Sequence, residues 1–198
     1  DARASFVLDR DGGSTMLAIP FGHVTDVVSF CLGEFTEVSA LMANRRPRVR
    51  VRDSGEIVTK TADDQIAVHG TLEGGAVASV HVRGGRSRGT NFLWEINGAD
   101  GDLVVTGNHG HLQLAQVTLL GARGKDHELA ELVVPDEYHL VPGCREHPWS
   151  NLANAYAVLL EDLRKGSTVL PDFDHGVRRH RFIDAVRAAA VDGQRRPL

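Results

Sequence analysis

Val24, Val27, Val28 and Cys31 recur at i, i+3, i+4 and i+7, the spacing that gathers side chains on one helix face, and Gly33 stands where such a helix would stop. A short helix opening near Gly22 is predicted. From Phe35 the period changes to two. FTEVSALMAN, RVRVR and QIAVHGTLEGGAVASVHVRGG alternate apolar and polar positions, as strands with one covered face do. Gly74 and Gly75 lie between the arms of the last stretch, and such a pair supplies the positive φ of a tight turn, so a hairpin is predicted over 65–83. TNFLWEINGADGDLVVTG predicts two further strands joined through Asn97, Gly98, Asp100 and Gly101, and HLQLAQVTLLGARG and ELAELVVP continue the mode to Pro135.

Helical spacing returns in the last third. Leu152, Tyr156, Leu159, Leu160 and Leu163 make one apolar stripe, closed by Gly166; Phe182, Ile183, Val186, Ala189 and Ala190 make another, with Asp172 placed to cap its helix. Strands joined by turn-length connections and bracketed by helices predict an α+β fold: a large, mostly antiparallel open sheet with helices packed on one face. At 198 residues and 42% apolar content the chain can bury a sizeable core, and a single domain over 1–198 is expected.

Charge and cysteine usage narrow the setting. A formal net charge of −4 gives no global attraction to nucleic acid or anionic lipid, and neither partner is expected. No run of 18 apolar residues predicts a membrane span, and no basic-then-apolar start predicts secretion. Cys31 and Cys144 lie far apart, outside any C-x-x-C or structural zinc spacing, which points to reduced, buried thiols in a cytoplasmic protein.

Several groups of residues invite a chemical reading. A dinucleotide site needs a Gly-rich turn at a helix N-terminus, and the chain contains neither a G-x-G nor a P-loop. His109 with His111, or Cys144 with His147, even if joined by Asp172 or His175, show no recognised spacing beyond a pair, and no metal site is expected. In VRGGRSRGT, Arg83, Arg86 and Arg88 surround glycines; alternation places Arg86 and Arg88 on one side of a strand, either solvated or facing an anionic or polar ligand. Trp94 and Glu95 point to opposite faces of their strand, Trp94 toward a core, an interface or a ligand. Arg178, Arg179 and Arg181 surround His180 on a face expected to be solvated. His23 falls in the first turn of a helix starting near Gly22, where the macrodipole disfavours protonation; a neutral imidazole suits proton exchange near pH 7. Asp26 follows one turn later.

Three stretches, in order, resemble the C-terminal domain of the Gfo/Idh/MocA oxidoreductase family. GGSTMLAIPFGHVTDVV is similar to its Gly-Gly, apolar strand and His-x-x-Asp helix start; WEINGADGDLVV to its strand, E-I-x-G-x-x-G turn and next strand; PDFDHGVRRHRFIDAVRAAAVDGQ to its closing helix. The resemblance implies the substrate-binding and oligomerisation part of a longer NAD(P)-dependent sugar or polyol dehydrogenase. In it an N-terminal Rossmann domain with a Glu-Lys-Pro lysine would bind NAD or NADP, and the chain itself would bind no cofactor. It carries over His23 as the catalytic histidine and a sugar or polyol as ligand; Arg86, Arg88 and Trp94, from their own places in the sequence, are the expected substrate contacts, and the open apolar sheet face predicts a homo-oligomer, at least a dimer. One position departs from the pattern: family members with a defined dehydrogenase site carry an Asp four residues before the histidine, and here Ile19 stands there, preceded by Ala18. The combination of IPFGH with WEING resembles the branch holding the fungal galactose-pathway repressor, which kept the fold for regulation. A catalytically silent sugar-sensing protein is therefore the alternative expectation.

Overall fold

A computed structural model describes residues 2–85, 87–145 and 149–198. In chain order the main elements are α1 (Gly22–Leu32), β1 (Phe35–Ala43), β2 (Arg48–Arg50), β3 (Ile57–Thr59), β4 (Gln65–Leu72), β5 (Val77–Arg83), β6 (Phe92–Asn97), β7 (Gly101–Gly107), β8 (Val117–Arg123), β9 (Ala130–Glu131), α2 (Ser150–Lys165), α3 (Phe173–Asp192) and β10 (Arg196–Pro197). They divide into two compact units, residues 1–85 with 176–198, and residues 86–175.

The first unit holds a sheet in the order β10-β1-β4-β5, antiparallel at every step, and a separate β2-β3 ribbon. Alternation sets which face is covered: Ile66, Val68 and Leu72 of β4 are buried, with Phe35 and Val38 of β1 on the same side. The Phe182 ring of α3 closes this face, 5.0 Å from Phe35 and stacked 6.0 Å from Phe21. Ile183, Val186 and Ala189 continue the buried side of α3 as the second stripe predicts. Each large apolar side chain so buried contributes about 1.5–3 kcal/mol. The predicted hairpin forms: Leu72 and Ala76 close it at 2.8 Å, and Gly75 takes φ +83°. At the irregular pairing between Phe35 and Glu37, Gly70 lies so close to β1 that a Cβ on it would sit 2.1 Å from the Glu37 carbonyl oxygen.

A buried ion pair pins the joints around β4. Lys60 Nζ donates to Asp64 Oδ2 at 2.8 Å and to the Ala62 carbonyl at 2.7 Å. Asp64 also accepts the backbone N–H groups of Arg45 and Arg46, at 3.1 and 2.9 Å, and Gln65 Nε2 at 3.3 Å. Burial pushes the Asp64 carboxyl up, but these donors, Lys60 foremost, outweigh it and hold the group at about 2.

In the second unit β6-β7-β8-β9 is again antiparallel throughout. Its register places Phe92, Trp94 and Ile96 on one face with Leu103, Val105 and Leu119. The α2 stripe is not a core: Leu152, Tyr156, Leu160 and Leu163 are exposed, and the buried residue of α2 is Asp162. The carboxylate takes the Ser167 hydroxyl at 2.6 Å and the N–H groups of Val169 and Leu170, tying down the loop after the helix. An apolar stripe marks a face that gains from cover; it does not say that the cover lies in the same chain.

The α+β class and the antiparallel pairing are as expected from the alternation. The strands are shared between two four-stranded sheets and a ribbon, where one large sheet is expected; residues 84–91, with Gly84, Gly85 and Gly89, interrupt the alternation between β5 and β6. Asp172 caps α3 as predicted, accepting the His175 N–H at 2.8 Å. Among the described residues no helix is long and apolar enough to cross a membrane.

Candidate functional site

His23 occupies a different place on its helix from the one the pattern implies. The stretch before it is not a strand but a π-helical turn, Leu17–Phe21, that runs straight into α1. Pro20 is the cause. It has no N–H to offer the Met16 carbonyl, so the Phe21 N–H takes that acceptor instead, at 3.0 Å, one residue further on than in an α-helix. The true helix start is Thr15, whose carbonyl receives the Ile19 N–H at 3.0 Å and whose hydroxyl lies 3.4 Å from the Ala18 N–H. His23 therefore sits about two turns into a continuous helix, beyond the reach of the N-terminal dipole. Its side chain is exposed.

The face that α1 buries is also rotated from the predicted one. Phe21, Thr25, Val28 and Ser29 are buried, while Cys31 is exposed and Phe30 is 89% exposed. The two polar members are satisfied inside. Thr25 Oγ1 donates to the Phe21 carbonyl at 2.9 Å, and Ser29 Oγ accepts Arg179 Nη1 at 2.9 Å.

Arg179 is the residue that the expectation of a solvated arginine face misses. Its side chain, only 13% exposed, reaches from α3 to Ser29, to the Glu34 carboxylate and to within 3.7 Å of Asp26 Oδ1. Burial pushes the Glu34 carboxyl up, but the hydrogen bond and charge of Arg179, helped by Ser29 and Arg178, bring it below the usual carboxylate range. A signal for this was present: residues 179, 182, 183 and 186 fall at i, i+3, i+4 and i+7, so Arg179 shares the buried stripe of α3. The guanidinium thus ties α3 to the buried face of α1.

A groove of about 240 Å³ in the first unit is lined by Arg10, Thr15, Met42, Asp63 and Arg187 among others, and His23 does not line it. Arg10 pairs with Asp63 across it at 3.1 Å.

The other expected contacts belong to the second unit. Trp94 is half-buried on β6, paired across from Val105, with exposed Glu95 on the opposite face, as the alternation predicts. Arg88 is exposed in a bend, not in a strand, so the argument that placed it beside Arg86 on a strand face does not apply to it. Arg86 lies outside the described residues, as does His147. His109 Nδ1 accepts the His111 N–H at 3.0 Å. Among the described residues no three or more His, Cys, Asp or Glu side chains converge on a point where a metal could bind.

The sequence contains no G-x-G, and among the described residues no strand precedes the helix start at Thr15.

The solved structures that share this fold include both oxidoreductases and Gal80p. The chain itself belongs to the family of the Gal80p C-terminal domain, whose profile matches residues 1–107. The galactose/lactose metabolism regulatory protein GAL80 of Kluyveromyces lactis is 27% identical over 124 residues, 58% of this chain and 27% of that protein. A super-repressor mutant of Gal80p from Saccharomyces cerevisiae superposes with a TM-score of 0.79 at 19% identity, covering 98% of this chain and 52% of the other. Levoglucosan dehydrogenase in complex with NADH and L-sorbose gives a TM-score of 0.74 at 19% identity over 94% of this chain and 51% of that one. At such identities the two solved structures speak for the fold alone. The chain spans about half the length of these solved relatives.

Proposed function

We propose that this chain is the ligand-binding and oligomerisation domain of a cytoplasmic regulator of the Gal80p kind, in which His23 hydrogen-bonds a hydroxyl of a sugar or polyol without catalysing its oxidation. The observation that carries this reading is a departure in the sequence: Ile19 and Ala18 stand where the resemblance places a dehydrogenase's acid. An imidazole on a helix can orient a hydroxyl through one good hydrogen bond. Arg86, Arg88 and Trp94 are the proposed further contacts, and NAD or NADP is held by a preceding domain in the full-length protein. The uncovered face of the first sheet, with Leu41 60% and Val77 84% exposed, is the proposed homo-oligomer surface.

The fold shared with levoglucosan dehydrogenase and the position of His23 favour a second reading, a sugar or polyol dehydrogenase in which His23 takes the hydroxyl proton. Full-length protein titrated calorimetrically with aldoses and polyols, with and without NAD or NADP, and assayed for nucleotide reduction separates the two. Regulation predicts sugar binding weakened about tenfold, about 1.4 kcal/mol, by His23→Ala, with no turnover in any pairing. Turnover abolished by His23→Ala would replace it with the dehydrogenase.

A further inference from the structure

The ribbon and its root carry five arginines in eight residues, Arg45, Arg46, Arg48, Arg50 and Arg52, all exposed in a chain whose formal net charge is −4. None of the ion pairs among the described residues engages any of them. Hydrogen bonds hold three of them. The buried Asp64 carboxylate grips the Arg45 and Arg46 amides, and Arg50 Nη1 donates to the Gly55 carbonyl at 2.7 Å. β2 and β3 pair only with each other, so the ribbon has two free backbone edges.

The second unit holds the complement. Residues 126–137 are exposed throughout and include Asp126, Glu128, Glu131, Asp136 and Glu137, with His127 their one basic-type side chain. Glu128, Glu131 and Glu137 take part in none of the ion pairs among the described residues, while Asp136 pairs with Arg145. Glu131 lies in β9, the outermost strand of its sheet, and beyond it Val133 is 78% exposed.

We infer that the acidic segment of one copy of this protein docks edge to edge on the arginine ribbon of a second copy, a contact separate from the open sheet face and independent of whether His23 binds or catalyses. Two free edges seek partners, and charge decides which. Ribbon against ribbon, or acid segment against acid segment, sets like charges opposite one another and is repelled. Ribbon against acid segment pairs guanidinium with carboxylate along both edges and covers Val133 and the 48% exposed Ile57. A nucleic-acid partner is disfavoured: the ribbon offers no aromatic side chain for base stacking, and its tip carries Asp53 and Glu56.

Sedimentation velocity on the full-length protein tests this with two charge reversals, Arg48→Glu with Arg50→Glu, and Glu128→Arg with Glu131→Arg. Each should weaken self-association about tenfold or more, as should raising the salt from about 50 to about 500 mM. If the sheet face also assembles, the affected step is dimer to tetramer. An equimolar mixture of the two reversed proteins should restore association, because every contact between unlike copies again joins opposite charges. Circular dichroism checks that each variant is folded; if one is not, the neutral Arg48→Gln with Arg50→Gln takes its place and is expected to weaken association in the same direction. Wild-type protein that is monomeric throughout, association indifferent to both reversals, or folded reversed proteins that fail to rescue one another would overturn the inference.

Discussion

Removing Asp64 tests the account of the ion pair that roots the first sheet. Asp64→Ala leaves the Lys60 ammonium, 9% exposed, with the Ala62 carbonyl as its remaining partner and strips the acceptor from the Arg45 and Arg46 amides. Breaking a buried pair in this way costs about 3–5 kcal/mol. Lys60→Met is milder, because Asp64 keeps both backbone donors and Gln65 Nε2; about 1–3 kcal/mol is expected. The pH dependence has a definite sign. A carboxyl held at about 2 in the fold, against an ordinary 3.8, stabilises the protein above 3.8, and that contribution disappears as pH falls toward 2. Allowing for screening by nearby water, it amounts to about 1–2 kcal/mol. Urea denaturation followed by circular dichroism from pH 6 to pH 2 reads both effects, and Asp64→Ala should flatten this part of the profile. An Asp64→Ala cost below about 1 kcal/mol, or a Lys60→Met cost exceeding it, would refute the reasoning.

Substitutions at three further positions probe what sets the fold. Gly70→Ala would put a methyl group 2.1 Å from the Glu37 carbonyl, and a loss of about 3 kcal/mol or more is expected in urea titrations. Arg179→Met keeps the apolar stem but loses the bonds to Ser29 and Glu34; about 1–2 kcal/mol should be lost, and Arg179→Lys should recover less than half, since an ammonium cannot span both partners. Asp162→Ala should lower Tm by freeing the loop after α2. The Leu170 amide, the Ser167 hydroxyl and the Val169 amide hold the Asp162 carboxyl below its usual range, so its stabilisation is present at neutral pH and lost on acidification. The Tm gap between wild type and variant should accordingly narrow between pH 7 and pH 3.

Strand positions were legible because alternation is a local property. Ile66, Val68 and Leu72 announce a covered face whatever covers it, and Gly74-Gly75 announces the turn between its arms. Helix faces were not legible in the same way. Spacing groups residues on a face but does not say which face meets the sheet, and polar members of the buried face mislead unless their partners are considered. Phe21, Thr25, Val28 and Ser29 follow helical spacing as well as Val24, Val27, Val28 and Cys31 do. The first set is buried because Thr25 satisfies itself on the backbone and Ser29 receives Arg179 from a facing helix. Arg179 in turn falls on the stripe of Phe182, Ile183 and Val186. Two polar residues, each on an apolar stripe of its own helix, are thus a joint signal that the stripes face each other. For His23 the decisive feature is a single absent hydrogen. Without an N–H on Pro20, the Phe21 amide takes the Met16 carbonyl, and the turn before α1 widens into continuous helix. The imidazole is thereby moved from a helix end to an exposed helix flank about two turns further on.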